Sequence, residues 1–119
     1  MTLTIDLGNT RAKLTIFDAQ ATIVGHRSVA HHNLVEQLHQ LLSVRPEIRR
    51  ICWCAVGDIP AKFPAFLKSC RCAVQQLCPT APPSGITLCY RTPATLGADR
   101  LAAVMGAQSL LPHRTVLVI

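Results

Sequence analysis

An acid, a turn and a lysine crowd the start of the chain: Asp6, Gly8, Asn9, Thr10 and Lys13 stand within TIDLGNTRAK, residues 4–13. A phosphate carries negative charge and bare acceptor oxygens. It is held by converging N–H groups, a nearby cation and often Mg²⁺. Gly8 lets the backbone approach closely and take a positive φ. Asn9 and Thr10 add side-chain donors, and Lys13 brings a cation to the same place from the following strand. Asp6 has no attraction for a phosphate itself. It fits as a holder of Mg²⁺ through the ion's waters, because Mg²⁺ keeps several waters and takes one or two carboxylates. The structural alternative is an ordinary hairpin, which Gly-Asn also favours. The GxxxxGK[ST] phosphate loop is absent.

A second constellation, YRTPATLGADR, covers residues 90–100. Gly97 permits a tight entry into a helix. Asp99 and Arg100 fall at or near its first turn, where free N–H groups favour anions. The alternative is that Asp99 only caps the helix and Arg100 is solvated. The six cysteines are less informative. Cys52 and Cys54 are two apart, as are Cys70 and Cys72, whereas zinc sites use C-x₂₋₄-C spacing. They read as buried free thiols acting as small hydrophobes. The adjacent His31 and His32 diverge in direction, which suits loop histidines better than shared ligands.

These residues need elements to hold them. Leu3 and Ile5 alternate with Thr4 and Asp6, and Leu14 and Ile16 alternate with Lys13 and Thr15, as in half-buried strands. Residues 18–20 make the next turn and residues 21–29 a third strand. A helix is predicted over 33–44, with Asn33 as its cap, Glu36 completing a capping box, and Leu34, Leu38, Leu41 and Leu42 as its stripe. Residues 48–56 form a strand with Cys52 and Cys54 on one face and Trp53 on the other. Gly57-Asp58 breaks it, and Pro60 sits in the first turn of a helix through Ser69 that buries Phe63, Phe66 and Leu67. A strand over 71–77, a Pro-rich loop over 78–85, an extended stretch over 86–90, a helix ending near Leu111 and a strand over 115–119 follow. The expected class is α/β: a mixed sheet, a three-strand meander and then alternating strands and helices, with helices packed on it.

Half of the residues are hydrophobic, enough for a real core, and only 4% are aromatic, so no base-stacking platform is offered. Lys plus Arg number 12 against 6 Asp plus Glu, and the resulting +6 suits an anionic ligand. The densest basic cluster is residues 45–50. Met1 leads into a strand-like run without a charged leader, and no apolar stretch approaches the ~20 residues that cross a bilayer. A soluble, cytoplasmic protein with no membrane partner is expected.

Together the two motifs resemble type III pantothenate kinase, of the actin-like, sugar-kinase-like ATPases with ribonuclease-H-like lobes. The Asp-x-Gly-Asn-Thr-x-x-Lys motif of that family is matched by Asp6, Gly8, Asn9, Thr10 and Lys13. Its Tyr-x-x-Pro-x-x-Leu-Gly-Ala-Asp-Arg motif is matched by Tyr90, Pro93, Leu96, Gly97, Ala98, Asp99 and Arg100. The resemblance implies phosphorylation of pantothenate by ATP to 4'-phosphopantothenate, the first step of coenzyme A synthesis. It implies that Asp6, Leu7, Gly8, Asn9, Thr10, Arg11, Ala12 and Lys13 hold the ATP phosphates, with Mg²⁺ reached by Asp6 through water. Tyr90, Gly97, Ala98, Asp99 and Arg100 would bind pantothenate, with Asp99 accepting the proton of the attacking hydroxyl.

A homodimer and a monovalent cation, K⁺ or NH₄⁺, are also implied, the cation site lying mostly beyond residue 119. Family members follow this region with an Asp-Ala-Gly-Thr phosphate motif and a second lobe. Residues 1–119 are therefore expected to be the amino-terminal ribonuclease-H-like lobe of a two-lobe kinase, inactive alone. The family's Ser-Ser-Val after the central strand is replaced by Cys54, Ala55 and Val56. Two rivals remain on the sequence. One is a non-catalytic transcription accessory protein on the same scaffold, although few aromatics and no basic helix argue against nucleic acid. The other is a cysteine-based metal binder.

Overall fold

Alternation along the first residues builds β1 (Thr2–Leu7): Leu3, Ile5 and Leu7 are buried while Thr2, Thr4 and Asp6 are half-buried on the other face. β2 (Arg11–Phe17) returns antiparallel to it, burying Ala12, Leu14 and Ile16. β3 (Ile23–Ala30) adds a further antiparallel strand. After the helix α1 (Leu34–Val44), β4 (Arg50–Ala55) joins the other side of β1 in parallel. The helix α2 (Phe63–Ser69) then leads to β5 (Ala73–Gln76), parallel to β4. The order β3-β2-β1-β4-β5 is a mixed sheet with helices packed on it, the arrangement of a ribonuclease-H-like lobe.

The computed structural model describes all residues from Met1 to Ile119, in two units, Met1–Gln76 and Leu77–Ile119. The core of the first unit lies between the sheet and its helices. Leu3, Ile5, Leu14 and Ile51 from the strands meet Leu34, Leu38 and Leu41 of α1 and Phe63 and Phe66 of α2. Trp53 closes edge-on against Phe63, with ring centroids 5.3 Å apart. Burying each such side chain is worth about 1.5–3 kcal/mol. The second unit contains a 3₁₀ turn (Pro93–Thr95) and α3 (Ala98–Leu110), on which Ala98 and Leu101 are buried. No helix is long and apolar enough to cross a membrane.

Several expected boundaries differ. The capping box at Asn33 is not formed: a 3₁₀ turn (His31–Asn33) runs straight into α1, and the Leu34 N–H bonds the His31 carbonyl, leaving the Asn33 side chain without a capping bond. Pro60 lies ahead of α2; its carbonyl accepts the Phe63 N–H at 2.8 Å as a turn, and Pro64 occupies the helix start. Residues 115–119 belong to no strand. Val, Leu and Ile favour extended backbone only where a neighbouring strand takes their N–H and C=O groups, and no such neighbour pairs with them.

The turn after β2 forms where expected. Asp18 Oδ1 accepts the backbone N–H groups of Gln20 and Thr22, at 2.9 and 2.8 Å. That wrap holds Ala21 at φ 61°, in the left-handed region. An L-residue there costs about 1–2 kcal/mol, of which glycine returns roughly 0.4–1 kcal/mol through its looser unfolded chain. Ala21→Gly is therefore expected to stabilise the protein by about 0.5–1 kcal/mol. The check is a raised urea midpoint with an unchanged denaturant slope.

Candidate functional site

β1 and β2 are joined at a tight turn: Leu7 pairs with Ala12, and the Gly8 N–H donates to the Arg11 carbonyl at 3.0 Å. Gly8 does not take the expected positive φ; among glycines only Gly85 does. A Cβ at Gly8 would instead stand 3.2 Å from the Arg11 carbonyl oxygen, so close approach of the two strands is what favours glycine. Asn9 and Thr10 form the exposed tip. Leu7 and Ala12 point into the core, so only their backbone can face a ligand. Arg11 reaches β3, its Nε 2.8 Å from Ser28 Oγ and a terminal nitrogen 3.0 Å from the Ser28 carbonyl.

Asp6 and Lys13 meet on the sheet face opposite the core. They are direct cross-strand partners, and Lys13 Nζ lies 3.6 Å from Asp6 Oδ2. The lysine side chain is 67% exposed and the aspartate 36%, so solvent screens the pair and it contributes well under about 1 kcal/mol. An arriving anion can therefore draw Lys13 away at little cost. The carboxylate is half-exposed, hard and set beside the turn, which fits a Mg²⁺ ion held through water.

Two partners of this turn were not among the candidate residues. Cys54 of β4 stands opposite Asp6 in the parallel register, its thiol donating toward Asp6 Oδ1 at 3.7 Å. The period-two reading of β4 already put Cys54 on the face away from Trp53, and pairing with β1 completes the rung. Gly57 is the other. The Val56 N–H bonds the Leu7 carbonyl at 3.0 Å, which carries the end of β4 along β1. A Cβ at Gly57 would fall 2.7 Å from Asn9 Oδ1. Its glycine reads in the sequence only as a strand breaker.

No disulfide joins any of the six cysteines; Cys54 is the one buried, and Cys89 is exposed. Burial and the neighbouring Cys72 push the Cys70 thiol up, whereas hydrogen bonds from Thr80 lower that of Cys78. No group of three or more His, Cys, Asp or Glu side chains could hold a metal ion.

In the second unit, Gly97 caps α3 with extended backbone, φ −62° and ψ 133°, and Asp99 lies in the first turn. Asp99 Oδ1 accepts the Arg100 N–H at 2.9 Å. Tyr90, Asp99 and Arg100, all exposed, line one cavity of about 690 Å³ with Leu96 and the apolar Ala103 and Val104. Ala98 is buried and serves packing. Ala103 and Val104 were missed, although they stand four residues after Asp99 and Arg100 and so share their helix face. The chemistry gathered there is a carboxylate, a guanidinium, a phenol and an apolar wall.

A family model described as type III pantothenate kinase matches residues 2–119. The chain belongs to that family. Type III pantothenate kinases from Aromatoleum aromaticum and Phocaeicola vulgatus are 34% and 37% identical to it, each over 100% of this chain and 48% of their own. One from Laribacter hongkongensis is 35% identical over 99% of this chain and 48% of its own. The chain thus spans about half the length of the curated relatives it matches. Membership in the type III pantothenate kinase family makes it a phosphotransferase-family chain, and use of ATP with Mg²⁺ goes with kinases of this kind.

Proposed function

We propose that the chain is the amino-terminal lobe of an enzyme that transfers a phosphoryl group from ATP to the hydroxyl of pantothenate. The observation that carries this reading is the Asp6–Lys13 rung beside the Gly8–Arg11 turn, a cation and a carboxylate 3.6 Å apart and open to solvent. Asn9 and Thr10 donate to phosphate oxygens, and Lys13 leaves Asp6 to offset charge on the transferring group. Asp6 would hold Mg²⁺ through the ion's waters, and the ion would offset further charge on the phosphates. Phosphoryl transfer through a loose transition state needs alignment and charge compensation more than a strong base. Asp99 orients the hydroxyl and takes its proton late. Arg100 forks onto the pantothenate carboxylate, Tyr90 adds a hydroxyl, and Ala103 and Val104 face the apolar part of the acid. The K⁺ or NH₄⁺ requirement, the homodimer and the second phosphate motif of the family belong to this proposal as well.

Titration of the 119-residue chain with ATP in Mg²⁺, followed by calorimetry, tests the phosphate turn. Lys13→Ala removes a charge-assisted contact worth about 1.5–3 kcal/mol, so affinity is expected to fall at least about tenfold. Unchanged affinity sinks the reading. In the same assay Gly57→Ala is expected to weaken ATP about three- to tenfold, because its methyl displaces the Asn9 side chain. Phosphopantothenate formation is expected only from a chain that carries the second half of the relatives. Comparable turnover by these residues alone overturns that part.

A further inference from the structure

The basic cluster at residues 45–50 takes no part in either motif, and its charges have different fates. Arg45 pairs with Glu47, 3.4 Å away. Arg49 and Arg50 have no ion pair and no side-chain hydrogen bond. Both line a cavity of about 510 Å³ with Thr2, Phe17, Asp18 and Ala21. It lies at the end of the sheet where β1 and β4 begin and β2 finishes. The Gly8 turn is at the other end of six-residue β1, about 17–20 Å away at the rise of a strand.

The walls of this cavity are fixed by backbone bonds. The Arg49 N–H donates to the Met1 carbonyl at 3.0 Å, and the Ala73 N–H to the Arg49 carbonyl at 2.9 Å, so the root of Arg49 is held from both sides. Arg50 is in register with both Thr2 and Ala73. The opposite wall is the turn after β2, held in its strained form by the Asp18 carboxylate. Asp18, the one carboxylate lining the cavity, has its Oδ1 held by two backbone N–H groups of its own loop and makes no ion pair with either arginine. Two planar donor forks with no acceptor thus face a space of small-molecule size, beside the half-buried ring of Phe17. Guanidinium forks match the paired oxygens of phosphate and carboxylate groups.

We propose that this corner is a second anion site, separate from the phosphate turn, that takes a small oxyanion bearing a phosphate or carboxylate group. The small cavity and the absence of exposed aromatic rows favour a compact ligand over a nucleic-acid strand.

The test is an NMR titration of the ¹⁵N-labelled chain with inorganic phosphate and, separately, with citrate, at constant ionic strength. Amides of Phe17, Ala19, Ala21 and Arg50 are expected to shift saturably. In the Arg49→Ala, Arg50→Ala double variant this response is expected to weaken at least about tenfold. Lys13→Ala is expected to leave it unchanged, which separates it from the phosphate turn. Arg50→Lys keeps the charge but loses the fork, so it should fall between. A stronger response to phosphate assigns a phosphorylated ligand, and a stronger one to citrate a carboxylate. No saturable shift at this corner, a double variant that binds within about twofold of the parent, or tighter binding of a single-stranded oligonucleotide to the same amides overturns the proposal. Both arginines are exposed, and matching amide spectra of parent and variant verify that the fold is kept.

Discussion

Asp99→Asn, in a chain that also carries the second half of the relatives, is expected to lower kcat by a factor of about 10²–10⁴. The amide is nearly isosteric with the carboxylate. It keeps the oxygen that accepts the Arg100 N–H at 2.9 Å, so the start of α3 is preserved. What it loses is the capacity to accept a proton, which the proposed role of Asp99 requires. The effect should therefore appear in kcat, with KM for ATP held within about twofold, because an interaction made only in the transition state is removed. Steady-state kinetics in both substrates measures this split. A variant with undiminished kcat excludes Asp99 as the proton acceptor, and a raised KM with unchanged kcat makes it a binding residue only.

Phe63→Ala is expected to destabilise the protein by about 3–5 kcal/mol. Phe63 is fully buried, meets Trp53 edge-on at 5.3 Å, and stacks on Phe66 at 6.4 Å. Its removal loses the transfer energy of a whole ring and leaves a void between α2 and β4 that neighbours anchored in a sheet can only partly close. Domains of this size have a total stability of about 5–15 kcal/mol, so the loss takes a large share of it. Trp53 is the only tryptophan in the chain and reports on this contact directly. Urea unfolding followed by its fluorescence gives the number, and a change below about 1 kcal/mol would show that the site collapses without cost.

The Gly8–Arg11 turn and the polar rung are legible in the amino-acid order because they are local. Leu3 and Ile5 against Leu14 and Ile16, with Gly-Asn-Thr between, specify a hairpin by period two and turn chemistry. Once that hairpin closes about the Leu7–Ala12 pair, Asp6 must face Lys13. The stripe of α1 is legible for the same reason: Leu34, Leu38 and Leu41 recur with the helical period and all three are buried.

Local logic failed where a neighbour had to come from elsewhere. Residues 115–119 look like a strand in composition but find no ladder, since strand propensity is realised only through a partner. The company of Asp6 and Asn9 is of the same kind. Cys54 lies 48 residues from Asp6 in the chain and reaches it only because β4 pairs in parallel with β1. Gly57 meets Asn9 because that ladder continues through Val56. Periodicity and turn residues act over a few positions, so they set each element and the hairpin rung. Which strand lies beside β1, and hence which side chains crowd the turn, follows from burying both apolar faces at once, a condition that only the assembled sheet and helices can meet.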